Sequence, residues 1–209
     1  TVQAPNGAST QYQYDDLGNL LQEVSPDRGT VRYAYDAAGN LAQQTDARGV
    51  VSAYTYDALN RLTRIDYPGT TEDVTYTYDS HTGCTFGLGR LCAVVDESGG
   101  TAYAYDAFGN PLVQTHTELG ITYNTFYTYD AGNRVTSITY PDGRVANTPR
   151  DVLGRITAVT STVNGTAVTL AGSRSYRPDG LLLSQNFGNG VNELRSYDTQ
   201  GRLKYQSLA

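Results

Sequence analysis

One phrase, repeated along the whole chain, limits what it can fold into. Tyr54-Thr55-Tyr56-Asp57-Ala58-Leu59-Asn60-Arg61-Leu62 reads as Tyr-x-Tyr-Asp, two variable residues, Gly or Asn, Asn or Arg, then Leu. It recurs at Tyr12, Tyr14 and Asp15 with Gly18, and at Tyr33, Tyr35 and Asp36 with Gly39. Further copies hold Tyr76, Tyr78 and Asp79; Tyr103, Tyr105 and Asp106 with Gly109; and Tyr127, Tyr129 and Asp130 with Asn133. Three copies are reduced: Asp151 keeps Gly154, Tyr176 is followed by Arg177, and Tyr197-Asp198 keeps Gly201. Taken at the aspartate or its replacement, the copies lie 21 to 27 residues apart. A period of roughly 20–50 residues marks a repeat architecture.

The spacing defines one unit. Tyrosines at i and i+2 share a face of a strand, and the small or polar residue between them suits the other face. Asp-x-x-Gly-Asn is a turn, since aspartate bonds to backbone two residues on and Gly or Asn accepts positive φ. A short β-favouring run follows, then a second turn such as Pro26-Asp27-Arg28-Gly29 or Pro141-Asp142-Gly143. The predicted fold is all-β: tandem antiparallel hairpins in a curved sheet ribbon, about nine repeats in one array over residues 1–209. Enlarged loops are expected near 80–92, 113–126 and 161–175, the last with a hairpin turn at Asn164-Gly165. Leu62 and Ile65 are three apart, as are Val135 and Ile138, and Ile156 and Val159; a flat strand cannot aim both members to one face, so a bulge or a bend is predicted.

Of the 22 aromatic residues 18 are tyrosine and none is tryptophan. Tyrosines in register are expected to form ladders across strands; a row of sugar-stacking platforms is the sharper alternative. The repeated aspartates read as turn caps, with a calcium ladder as the alternative, although each turn offers one carboxylate and calcium wants six to eight oxygens. Cys84 and Cys92 flank the first enlarged loop. A disulfide would staple it in an oxidising setting; free thiols, or a metal site with His81, are the other readings. His81 and His116 have no nucleophile motif nearby, and Gly87-Leu88-Gly89 is too short for a phosphate loop, so no catalytic residue, metal site or cofactor is expected. A net charge of −6 with no Lys/Arg cluster disfavours nucleic acid. No apolar run approaches the roughly 20 residues of a membrane span.

Tyr54 to Leu62, followed by Asp66-Tyr67-Pro68-Gly69, resembles the RHS or YD repeat, and the resemblance covers essentially the whole chain. Members include bacterial Rhs polymorphic toxins, the BC component of insecticidal Tc toxins, and animal teneurins. The resemblance implies a β-sheet ribbon coiled into a hollow shell that, in the bacterial toxins, encloses a C-terminal toxic domain. It implies as partners the remainder of a parent RHS chain and its enclosed toxin or cargo domain, and a secreted or cell-surface bacterial setting. A binding module for a glycan or cell-surface receptor, built on the tyrosine face, is the alternative. The family's self-cleaving block and variable tail have no counterpart here, and neither end looks like a capping unit, so the chain is expected to be an excised, non-enzymatic piece of an array with two open strand edges.

Overall fold

The computed structural model describes residues 1–3, 5, 7–69, 72–163 and 165–209. The chain divides into two compact units, Thr1–Ala102 with Thr117–Ile121, and Tyr103–His116 with Thr122–Ala209. The regular elements among the described residues are nineteen β-strands. The first unit holds β1 (Val2–Gln3), β2 (Ser9–Tyr14), β3 (Leu20–Ser25), β4 (Gly29–Tyr35), β5 (Leu41–Thr45), β6 (Val51–Tyr56), β7 (Leu62–Asp66), β8 (Val74–Tyr78), β9 (Leu91–Asp96) and the start of β10 (Gly99–Tyr105). The second holds most of β11 (Pro111–Glu118) and β12 (Ile121–Tyr129), then β13 (Val135–Thr139), β14 (Val145–Asn147), β15 (Val159–Val163), β16 (Thr166–Tyr176), β17 (Leu182–Phe187), β18 (Asn192–Tyr197) and β19 (Leu203–Leu208). From β1 to β10, and again from β12 to β19, each strand pairs antiparallel with the next.

The bulge falls where the Leu62–Ile65 spacing places it. Tyr56 pairs with Leu62 while Thr55 pairs with Arg64, leaving Thr63 as the extra residue. The same shift follows Tyr14 and Leu20, Tyr35 and Leu41, Tyr78 and Leu91, Tyr129 and Val135, and Tyr197 and Leu203. One extra residue per repeat turns the rest of the strand over, so Ile65 rejoins the tyrosine face. Ile156 lies instead in an isolated bridge to Arg150.

Among the described residues, the repeat tyrosines do not sit opposite tyrosine on the neighbouring strand. Tyr54 faces Ile65, Tyr76 faces Val94, Tyr127 faces Ile138 and Tyr33 faces Gln44. The second strand of each repeat stands between successive tyrosine strands and sets them about 9–10 Å apart, too far for a direct pair. The ring pair Tyr103–Tyr105, with centroids 6.3 Å apart, lies along a single strand.

The lengthened stretches near 113–126 and 161–175 differ from the loops expected there. They are longer hairpin strands: β11 and β12 run eight and nine residues, and β16 eleven. β11 turns into β12 at Leu119 and Gly120, whose φ of +50° and +78° give the tight two-residue connection that a twisted hairpin favours. Asn164, of the expected Asn-Gly turn, lies outside the described residues; beside it Val163 pairs with Thr166. Few apolar side chains are fully buried; Val31, Cys92, Ala93 and Ala171 are among them. The sheet relies on its ladders and its turn edges as well as on apolar burial.

Candidate functional site

The repeated aspartates build one turn seven times. In the Asp57 copy, the Asp57 amide donates to the Arg61 carbonyl and the Asn60 amide to the Asp57 carbonyl. Asp57 Oδ1 accepts from the amides of Leu59 and Arg61, and Oδ2 from Arg61 Nε at 2.7 Å. Asp15, Asp36, Asp106, Asp130, Asp151 and Asp198 repeat this arrangement, with Asn19, Asn40, Asn110, Arg134, Arg155 and Arg202 in the place of Arg61. The residue three after the aspartate takes positive φ, +87° at Gly18 and +59° at Asn60, so Gly or Asn is required there. Hydrogen bonds from the residue four on hold all seven carboxyls below the usual carboxylate range. The calcium alternative finds both oxygens of each carboxylate already engaged. Among the described residues no group of three or more His, Cys, Asp and Glu is placed to hold a metal ion. Arg177 sits in the aspartate position yet keeps the backbone turn, with its amide donating to the Leu181 carbonyl.

These turns are tied to their neighbours. Asn40 Nδ2 donates to Asn60 Oδ1, and Asn110 Nδ2 to Asn133 Oδ1, both at 2.9 Å. Arg61 forms a two-pronged ion pair with Asp79, with bonds of 3.1 and 2.6 Å, and its guanidinium lies 4.4 Å from the Tyr78 ring centroid. Arg61, followed by the Gly89 amide, lowers the Asp79 pKa to about 2. The second tyrosine of a repeat reaches back over the preceding strand. Tyr35 donates to the Leu20 carbonyl, Tyr56 to Leu41, Tyr129 to Pro111, Tyr176 to Ile156 and Tyr197 to Leu182. The β3–β4 ladder ends at Gln22 opposite Arg32, so the Leu20 carbonyl needs a partner that the ladder does not supply. In the first copy Tyr12 and Tyr14 are exposed.

Cys84 and Cys92 are joined by a disulfide, with Cα atoms 5.6 Å apart. The loop it closes is an insertion into the repeat turn: the Asp79 amide still donates to Arg90, and Asp79 Oδ1 accepts from Gly89. A side chain at Gly87 would run into both sulfurs and the Asp79 carbonyl, so the loop packs against its own bridge. His81 is exposed beside it, and His116 lies beside the Tyr123 ring at 6.5 Å.

Two features escape the repeat phrase. Asp46 builds the same turn on the opposite edge, accepting from the amides of Arg48 and Val50. In the last repeat, Glu193 is 2% exposed and accepts from Gln185 Nε2, Arg195 Nε and Gln206 Nε2. These hydrogen bonds, led by the one from Gln185, and the Arg195 charge keep the Glu193 carboxyl below its ordinary range. The signal was present in the alternation Glu193-Leu194-Arg195-Ser196-Tyr197, which puts Glu193 and Arg195 on the tyrosine face. The cluster borders an open concavity of about 520 Å3 that also touches Phe187, Asn189, Val191 and Leu208.

The RHS Repeat family matches residues 1–31, 28–50, 35–72, 87–122 and 112–145, well over half of the chain. The chain belongs to the RHS-repeat family. This RHS array is similar to solved Tc toxin structures. Against the crystal structure of TcdB2-TccC3-Cdc42 the TM-score is 0.82 at 21% identity, covering 98% of this chain and 11% of that chain. TcdB2-TccC3 without its hypervariable C-terminal region gives 0.81 at the same identity and coverage. The Photorhabdus luminescens Tc holotoxin pore, carrying a TccC3 mutation, gives 0.79. At this identity the likeness is one of fold, and the RHS chain spans about a tenth of the length of these structures. Comparison with curated protein sequences returned no match.

Proposed function

We propose that this RHS chain is a structural segment of a shell wall, part of a longer bacterial toxin-type protein that encloses a C-terminal toxic or cargo domain. The observation that carries this reading is the match of nearly the whole chain to a stretch of TcdB2-TccC3, 98% covered at a TM-score of 0.82. The bonds between repeats support it. Tyrosine hydroxyls, Asn–Asn contacts and the Arg61–Asp79 pair each join one repeat to the next, as a wall requires. The role is mechanical and no catalytic step is assigned, since the turn carboxylates are spent on holding backbone. Residues 1–209 act as one array of repeats within the parent chain. The Cys84–Cys92 bridge fits a secreted or cell-surface location, where disulfides persist. The partners in this reading are the rest of the parent chain and the domain it encloses. A glycan or receptor site on the tyrosine face is less well supported, because most of these rings are half-buried and several hydroxyls are bonded to backbone.

Electron cryo-microscopy of the full-length product of the gene that encodes this stretch tests the proposal. A hollow wall containing these repeats, with density for a further domain inside, is expected. Repeats packed without an enclosed space, or a gene product that ends with them, would overturn it.

A further inference from the structure

The inserted loop of the fourth repeat, within the first unit, does more than lengthen a turn. The Asp79 amide closes on the Arg90 carbonyl, eleven residues on, where the Asp57 amide closes on Arg61, four on. Tyr78 pairs with Leu91 and Thr77 with Ala93, so Cys92 is the extra residue of the bulge, the place that Thr63 holds in the preceding repeat. Ala93 stands where Arg64 stands there. Thr63 is half-buried and Arg64 exposed, whereas Cys92 is 0% and Ala93 2% exposed. The loop makes the difference. Gly87 is buried, and a Cβ on it would meet Cys92 Sγ, Cys84 Sγ and the Asp79 carbonyl. We propose that residues 80–90 form a lid strapped down by the Cys84–Cys92 bridge, which reduction by a dithiol releases, uncovering Cys92 and Ala93 and loosening the Arg61–Asp79 tie between repeats.

Three observations carry this. The first is how the loop is held. The Cys84 amide bonds to the His81 carbonyl, the Arg90 amide to Gly87, and Arg90 Nη1 to Phe86 and Leu88, all within the loop. Its large apolar side chains, Phe86 and Leu88, are 59% and 81% exposed and add little anchoring burial. The disulfide joins its middle to β9. The second is room. Reduction replaces a bond by two thiols that stand at van der Waals contact, and the Gly87 backbone already closes on both sulfurs. A packed interior does not absorb that expansion, so the loop must lift. The third is the link to the neighbouring repeat. Asp79 Oδ1 accepts from the Gly89 amide and from Arg61, so a displaced Gly89 unsettles the carboxylate that Arg61 grips.

The exchange is complete in two steps. Cys84 is half-buried and Cys92 fully buried, so a thiolate of the dithiol attacks the Cys84 sulfur and Cys92 leaves as thiolate and takes a proton. The second thiol of the reductant then attacks the mixed disulfide and frees the Cys84 thiol. Two electrons and two protons pass to the cysteines, and the dithiol becomes a cyclic disulfide.

The test is hydrogen exchange read by mass spectrometry on the 209-residue chain, with and without dithiothreitol and without denaturant. N-ethylmaleimide labelling follows once the reductant is removed. Dithiothreitol is expected to open the bridge in the folded chain, to speed exchange across 80–90 by about ten-fold or more, and to let the maleimide reach Cys92. The amides of the Asp15 and Asp36 turns keep their rates. Cys84→Ser is expected to show the same fast loop and labelled Cys92 without reductant; if it does not fold, the comparison of oxidised and reduced wild-type chain decides alone. A bridge that resists dithiothreitol until urea unfolds the chain, a reduced loop that exchanges as slowly as the oxidised one, or a rise spread evenly over all turns would each overturn the proposal. None of these outcomes bears on whether the chain is part of a shell.

Discussion

Ile65 opposite Val74, and Gln185 opposite Glu193, occupy the same places in their repeats. So do Tyr54 opposite Ile65 and Arg195 opposite Gln206. One region meets its neighbours with apolar side chains, the other with an ion pair and two amide bonds. The frame beneath them is unchanged. Tyr56 and Tyr197 both donate to a carbonyl of the preceding strand, Asp57 and Asp198 both close their turns, and both second strands carry the bulge. The repeat is therefore specified by its staple, turn and bulge. The middle of its tyrosine face is left free to be core in one repeat and polar in another.

The largest way to break this comparison is Glu193→Ala. It strands the Arg195 charge and the amides of Gln185 and Gln206, and should cost about 3 kcal/mol. Val74→Ala in the apolar region should cost about 1–2 kcal/mol, as it removes only aliphatic contact. Urea unfolding of the two variants measures the gap. The converse is to convert the polar region into the apolar one with Gln185→Ile, Glu193→Val, Arg195→Tyr and Gln206→Ile together. If face and frame are separable, the chain keeps its circular dichroism and gains about 2 kcal/mol, as when packed apolar groups replace a buried ion pair. Tyr56→Phe and Tyr197→Phe sharpen the comparison from the other side. Each removes the same staple, so each should lower stability by about 1 kcal/mol, a thermal midpoint shift of about 2–4 °C, despite the different faces.

The smallest effect is expected in acid. Asp79 has a folded pKa of about 2, below its ordinary value near 3.8. A depressed carboxyl pKa stabilises the folded state above the unfolded value, and that contribution is lost as pH falls from about 4 to about 2. A midpoint titration over this window, repeated with Asp79→Asn, should show a shallower slope in the variant. Solvent screens this surface pair, so the difference is expected to be small.

Strand, turn and period were legible from the residues because each rests on local chemistry. Tyr-x-Tyr selects a strand face, Asp-x-x-Gly-Asn closes on its own backbone, and the spacing of Leu62 and Ile65 calls for a bulge or a bend between them. The resemblance carried by Tyr54 to Leu62 named the family that the comparisons then showed. What escaped depends on residues distant in the chain. Tyr56 was placed on a face, but its bond to the Leu41 carbonyl, 15 residues away, depends on where one ladder stops. The stretches at 113–126 and 161–175 looked like loops because they interrupt the period, whereas their backbones satisfy themselves by extending the hairpins. Glu193 stands in a reduced copy of the repeat and belongs to none of its motif positions. Only the sheet, by setting β17 and β19 on either side of β18, buries it and gives it Gln185 and Gln206. The sequence by itself determined the repeating unit, since a turn and an alternating strand need only near neighbours. The tertiary structure decided which faces became apolar, polar or open, since those contacts form between strands whose spacing no single repeat contains.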